Sequence, residues 1–416
     1  MRAMKDSGIE WIGEIPREWD VRRIKFTLDK HSGGSWGTNE GEGESDCICV
    51  RVADFNYPKL SVDFHDKMTV RSYAKKAIEE GCIKSGDILL EKSGGGDITP
   101  VGRSVLFESD EQMMCANFIE WLRPNQCFDA RFLNYWLAAA YVNGFSKRNV
   151  KQTTGIQNLD VPAFLSERIA APVVDAQEAI ANFLDAKCAE IDALIAAKEK
   201  TNALLKERRQ SIIYEAVTKG LNPDAHMKDS GIEWIGKIPE DWSTVRVKYT
   251  GSYKSGNTIT AADVKESGTF PVYGGNGLRG YTDEITHDGD HLLIGRQGAL
   301  CGNVHMVSGK FWASEHAVVG TINANYAIRF LFYVLDVFDL NRLSTSAAQP
   351  GISVEQITDV VIPCPTLVEQ QEIANVLDAK CAEVDELISA NEATIQKLKE
   401  YRQSIIYEAV TGKIEV

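Results

Sequence analysis

The sequence predicts an α+β protein: two mixed α/β domains joined by two long helices that form an antiparallel coiled coil, with internal pseudo-two-fold symmetry. Three observations carry this prediction. MKDSGIEWIGEIPREWDVRRIKFTLDK at residues 4–30 returns as MKDSGIEWIGKIPEDWSTVRVKYTGSY at 227–253, 223 positions later. LDAKCAEIDALI at 184–195 recurs as LDAKCAEVDELI at 377–388, and RQSIIYEAVT at 209–218 recurs at 402–411. Between these bookends the residues have diverged, so one frame encloses two unlike inserts.

The length agrees with this division. A chain of 416 residues exceeds what one hydrophobic core normally serves, and 44% hydrophobic content is ordinary for a globular protein. The expected segments are a first domain at 1–174, a first long helix at 175–220, a second domain at 221–365 and a second long helix at 366–416.

The helices follow from composition and period. After Pro172 no Gly or Pro occurs until Gly220, and Ala, Leu, Glu and Lys abound. Asp175 with Glu178, and Thr366 with Glu369, have the spacing of an N-cap and its reciprocal partner. Leu184, Ile191, Lys198, Leu205 and Ile212 fall seven apart beside Cys188, Ile195, Asn202, Arg209 and Ala216. The second copy gives Leu377, Val384, Asn391, Leu398 and Ile405 beside Cys381, Ile388, Ile395, Arg402 and Ala409. Such a heptad seam buries itself only against another helix, and the matching helix in the same chain is the natural partner. Lys198, Asn202 and Asn391 would fix the register. The alternative is that each helix packs on its own domain.

Each insert mixes strand and helix. CICVRVADF, GDILLEKSGGG and RSVLFES are strand-like in the first, as are GDHLLIGRQGAL, NVHMVSG and AVVGTI in the second. Helices are expected at 130–145 and 326–340. Each insert then reaches its long helix through a comparable passage, containing TTGIQ in the first and QPGIS in the second.

The chemistry-bearing motifs are mostly negative. GIEWIGKI at 231–238 fits GxxxxGK but has Ile238 where a phosphate loop needs Ser or Thr, and its twin has Glu14 in place of the lysine. The better reading is a turn-rich docking segment packed by Trp11, Trp19, Trp234 and Trp242. HDGDH at 287–291 reads as a solvated turn, because Gly289 lies in its middle and a strand follows, and its first-copy counterpart shares no ligand set. Nine cysteines without a CxxC pair read as reduced thiols in a cytoplasmic protein rather than a zinc site. No dinucleotide fingerprint, GxSxG or amino-methyltransferase tetrapeptide is present, so no metal, no cofactor and no catalytic residue is expected. Nothing resembles a membrane span or signal peptide.

What remains are polar loops after strands. Lys92, Ser93 and Arg103 surround SGGGDITPVGR, Arg296 and Gln297 lie in GRQGALCGN, and Arg279 lies upstream of that loop. Arg and Gln side chains can make bidentate contacts to guanine and adenine edges in the major groove. Lys147, Arg148 and Lys151 in SKRNVKQ suit phosphate contact. A net charge of −14 requires such basic patches to be confined, or a basic partner to stand beside them.

The whole arrangement resembles the specificity subunit of type I restriction-modification systems. The resemblance rests on WIGEIPREW and WIGKIPEDW, the GDILLEKSG and GDHLLIGRQG loops, the TTGIQ and QPGIS approaches, and the twin helices ending in RQSIIYEAVT. It implies two target-recognition domains, each reading one half of a split duplex DNA sequence. It also implies two modification subunits that carry the chemistry and, in the full complex, restriction subunits. Two copies of one partner need two equivalent docking surfaces. The matched helix stretches, with Leu184, Ile191, Ile195, Leu377, Val384 and Ile388, are the expected place. These stretches could also be alike only because they pack on each other. A protein-binding adaptor with two domains on a coiled coil would show the same repeats.

Overall fold

The computed structural model describes residues 2–96, 98–153, 155–298, 300–344 and 351–416. Thr154 of TTGIQ and Gln349 and Pro350 of QPGIS lie outside the described residues. The chain divides into two compact units. The first comprises Met1–Ala197 with Thr394–Val416, and the second comprises Lys198–Ala393. Each unit therefore holds one insert, the start of its own long helix and the end of the other.

The two inserts share one sheet plan. In the first unit the strands run in the order Leu28–Gly33, Ile119–Pro124, Ile88–Glu91, Ser104–Leu106, extended by Ser61–Val62 and Phe55–Asn56. In the second the order is Gly251–Ser255, Ala317–Ile322, His291–Gly295, Val304–Val307. Central register is set by Leu89 opposite Trp121 and by Leu293 opposite Val319. Period-2 alternation, with a core on each face of the sheet, explains why Ile88–Leu90 and Leu292–Ile294 are continuous apolar runs. Ile88 and Leu90 join the main core of the first unit, while Leu89 faces Val105, Phe107 and Trp121 in a smaller core. Leu292 and Ile294 do the same in the second unit, with Leu293 facing Val307, Phe311 and Ala313. Each smaller core lies under a further sheet. Ser45–Val50 runs parallel to Met113–Cys115 in one, and Phe270–Gly274 parallel to Lys310–Ala313 in the other.

The insert helices are Ala130–Val142 and Ile328–Phe338, slightly shorter than expected, and both face the main cores. Each is tied to its long helix by the same bonds. Arg131 pairs with Asp185 at 2.7 Å and Tyr135 donates to the same carboxylate at 2.8 Å. Arg329 pairs with Asp378, and Tyr333 donates to it at 2.7 Å. Burial pushes the pKa of both tyrosine hydroxyls up, so they stay protonated as donors.

The long helices span Val174–Lys219 and Leu367–Val410. At 46 residues the first is about 69 Å long. Thr366 caps the second as expected, its backbone N–H donating to Glu369 at 3.1 Å while Thr366 Oγ1 accepts from the Glu369 N–H at 3.4 Å. Asp175 does not cap the first. It lies inside the first helical turn, and Val173 stands where Thr366 stands, so only backbone oxygen is there to accept.

Within the second unit the two helices run antiparallel, since Asn202 meets Asn391 while Arg209 meets Asp385. The polar seam residues bond in a chain: Lys198 Nζ donates to Asn391 Oδ1 at 2.9 Å, and Asn391 Nδ2 donates to Asn202 Oδ1 at 2.8 Å. In the first unit Arg402 meets Asp192 at 3.1 Å amid Ile191, Ile195, Leu398 and Ile405. The tail of each helix then closes on a tryptophan-bearing turn. Tyr214 Oη donates to the Ile235 carbonyl and Tyr407 Oη to the Trp11 carbonyl, both at 3.2 Å. Trp19 and Trp242 are buried there, which supports a docking segment over a phosphate loop.

Candidate nucleic-acid interface

In the first unit Lys92, Ser93 and Arg103 flank the loop between the interior strands Ile88–Glu91 and Ser104–Leu106, and most of the basic candidates are already engaged. Lys92 follows the strand Ile88–Glu91 and meets Glu120 Oε2 at 3.0 Å, while His31 Nδ1 lies 2.9 Å from Glu120 Oε1. Arg103 is held by Glu91 at 3.0 Å and its Cζ lies 3.6 Å from the Tyr57 ring centre, so its guanidinium is held from two sides. Ser93 Oγ donates to Asn158 Oδ1 at 2.6 Å. Asn158 belongs to a hairpin, Val150–Thr153 with Ile156–Leu159, that lies against the loop and was not anticipated from the sequence.

SKRNVKQ forms the 3-10 turn Ser146–Asn149 and the start of that hairpin. Arg148 pairs with Glu10, and Lys151 meets Asp160 at 2.6 Å, the bond that chiefly holds the Asp160 carboxyl below its usual range. Lys147 is exposed and makes no ion pair among the described residues.

The second unit places its candidates at the matching loop with different chemistry. Arg296 and Gln297 follow the strand His291–Gly295. Arg296 Nη1 donates to Ser255 Oγ at 2.8 Å, and its Nε is buried without a partner among the described residues. Gln297 Oε1 lies 2.9 Å from His316 Nδ1. A β-bridge joins Gln297 to Gly351, just as one joins Ser93 to Asn158 in the first unit. Gly295 is required, because a Cβ there would run into the Gly275 carbonyl oxygen. Gly275 begins the turn of the hairpin Phe270–Gly274 with Gly277–Thr282, which carries Arg279, exposed and without an ion pair among the described residues. Sequence reasoning missed Glu120, His31, Asn158, Ser255 and His316. Each acts through a contact set by sheet or loop pairing rather than by proximity along the chain.

The docking residues expected on the long helices need correction. Leu184, Ile191, Leu377, Val384 and Ile388 are buried, and Ile195 is half-buried in the seam. A heptad position that seals one helix against another is not available to a third chain. The exposed apolar residues of the repeated frame lie elsewhere. Leu194 and its counterpart Leu387 are 49% and 55% exposed, and Phe26 and its counterpart Tyr249 are 61% and 62% exposed. Lys25 Nζ lies 5.1 Å from the Phe26 ring centre and Lys248 Nζ 5.7 Å from that of Tyr249.

Ligand chemistry is sparse. Among the described residues no group of three or more His, Cys, Asp or Glu could hold a metal ion, and no helix is long and apolar enough to cross a membrane. His287 stacks on Phe311 at 5.4 Å and His291 is buried, so the two rings line the smaller core, while Asp288, Gly289 and Asp290 between them are exposed. Burial lowers the pKa of His287, aided by His291, and burial lowers that of His305 against the pull of Asp336.

A pH dependence follows. A histidine whose folded pKa lies below its unfolded value of 6.5 leaves stability intact above pH 6.5. That stability is lost as pH falls through the lowered folded value. Asp336, raised by burial, works in the opposite sense and restores some stability as it protonates. Melting of the second unit should therefore fall between pH 7 and pH 5, and His287→Gln with His305→Gln should flatten the decline. An unchanged slope in the double variant would remove these histidines as its cause.

Comparison with known proteins agrees with this geometry. Residues 239–400 match the family model of the type I restriction modification DNA specificity domain. The chain is 43% identical over 129 residues to the EcoprrI specificity subunit of Escherichia coli, covering 30% of this chain and 32% of that one. It is 24% identical over 433 aligned positions to the MjaVIII specificity subunit of Methanocaldococcus jannaschii, covering 97% and 94%. Among solved structures, a chain from work on complex assembly and conformational transition of the type I R-M system superposes with a TM-score of 0.71 at 14% identity, covering 96% of this chain and 99% of that chain. The HsdS subunit of Thermoanaerobacter tengcongensis superposes with a TM-score of 0.51 at 16% identity, covering 96% and 98%. These two likenesses establish the fold. The chain spans about a third of the EcoprrI subunit's length, and along nearly all of its own length it is similar to a type I restriction enzyme specificity subunit.

Proposed function

We propose that each unit reads one half of a bipartite, asymmetric, gapped duplex DNA target, and that two modification subunits dock on the matched frame. One observation carries this reading. The two units keep the same four-strand order and the same bridged loop after the central strand, yet hold unlike side chains there: Lys92 and Ser93 in one, Arg296 and Gln297 in the other. Equal scaffolds with unequal reading groups suit two different half-sites. Side chains of these types can address base edges, whereas Lys147, Arg148 and Lys151 suit the phosphate backbone.

Docking of a partner present in two copies is supported by the exposed pairs Leu194 with Leu387 and Phe26 with Tyr249. Isolated surface leucines are common, but apolar exposure repeated at equivalent positions fits a surface used twice. Restriction subunits would join the same assembly, in the cytoplasm. Basic partner surfaces beside the DNA would also offset the net charge of −14.

With modification subunits present, the chain should shift duplex DNA in a salt-dependent manner, as phosphate contacts require. Absence of binding to any duplex at low salt would favour a protein-binding adaptor.

A further inference from the structure

Among the cationic candidates without an ion pair among the described residues, Lys147 and Arg279 are exposed, whereas Arg296 is half-buried. In the first unit the cation after the central strand, Lys92, is neutralised by Glu120 at 3.0 Å, and Arg103 by Glu91 at the same distance. Arg296 stands at the equivalent place in the second unit and meets no carboxylate among the described residues. The residues outside the description in that unit are Ala299 and 345–350, which read Thr-Ser-Ala-Ala-Gln-Pro and contain no acid. Its charge therefore has no ion-pair partner within the second unit.

The position is also held firmly. The Arg296 N–H donates to the His316 carbonyl at 3.0 Å and its own carbonyl accepts from the Ile352 N–H at 3.0 Å. Ser255 fixes Nη1, and Nε is buried. The second proton of Nη1 and both protons of Nη2 are unclaimed among the described residues, so both terminal nitrogens of the fork can still donate. Holding a guanidinium half-buried without a counter-charge costs stability, so such a group is retained where an external acceptor completes it. A paired acceptor edge matches this fork, and in duplex DNA that edge is guanine O6 and N7 in the major groove.

We propose that Arg296 reads a guanine in the half-site of the second unit, with Ser255 as the residue that positions its guanidinium. This rests on the two-half-site reading above. At the equivalent place in the first unit Lys92 offers no bidentate fork, and its charge is already met by Glu120.

The test is the methylated motif made in cells by the chain together with its modification subunits, for wild type, Arg296→Gln, Arg296→Lys and Ser255→Ala. Loss of one bidentate base contact relaxes discrimination at that base by about tenfold to a hundredfold. In the Gln and Lys variants one guanine of one half-site should become degenerate, while the other half and the spacer stay fixed. Ser255→Ala should relax the same position to a smaller extent, which a phosphate-binding arginine would not show. An unchanged motif in all three variants, or equal loss of methylation at every site with the motif intact, overturns the assignment of Arg296. A wild-type motif that is bipartite but has no guanine in either half also overturns it. A wild-type motif that is not bipartite overturns instead the reading on which it rests.

Discussion

Trp136→Ala should destabilise the first unit by about 3–5 kcal/mol and leave the second unit's own stability nearly unchanged. Trp136 is fully buried on the helix Ala130–Val142 and packs edge-on against Trp11 at 5.2 Å and Phe145 at 5.5 Å. Trp11 in turn receives the Tyr407 hydroxyl on its carbonyl, so this aromatic cluster joins the insert helix, the tryptophan-bearing turn and the tail of the second long helix. The indole Nε1 of Trp136 has no hydrogen-bond partner among the described residues, so the loss is one of packing and cavity formation. Trp136→Phe, which keeps an aromatic edge, should cost less than half as much. Urea unfolding followed by hydrogen exchange resolved to each unit measures both variants. A loss below about 1 kcal/mol for the alanine variant would mean that the cluster does not hold the closure together.

The aromatic cluster was partly legible from the sequence, because the WIG turns repeat and a repeated tryptophan in a turn demands a place to pack. The long helices were more legible still. Their period is local: a heptad column can be counted without knowing what faces it, and even the polar seam of Lys198, Asn202 and Asn391 follows from that count. The docking residues misled for the same reason. The heptad identifies apolar positions but also assigns them to the seam, which leaves Leu194 and Leu387, off the heptad columns, as the exposed ones.

The reading loops were legible in place and not in chemistry. Lys92 and Arg103 look like free cations along the chain. Their carboxylates, Glu120 and Glu91, reach them only through the registers of neighbouring strands. A one-residue slip would turn either carboxylate to the opposite face, so no local pattern reveals the pairing. The same non-local register leaves Arg296 with a hydroxyl in place of a carboxylate. The hairpin over the first loop was missed because its strands, Val150–Thr153 and Ile156–Leu159, are polar and lack strict alternation.

The central claim is that two half-sites are read by two units whose frame sets the spacing between them. Inserting one heptad after Asn202 in the first long helix and its partner heptad before Asn391 in the second keeps the seam in register and lengthens each helix by about 10.5 Å. That rise corresponds to about three base pairs of duplex. The most direct measurement is the methylated motif of this variant beside that of the wild type, each made with the modification subunits. The expected result is a gapped, asymmetric wild-type motif, and in the variant the same two half-sites separated by a longer spacer, with methylation of the parental sites lost. A variant that still methylates the parental sequence at its original spacing would contradict the account.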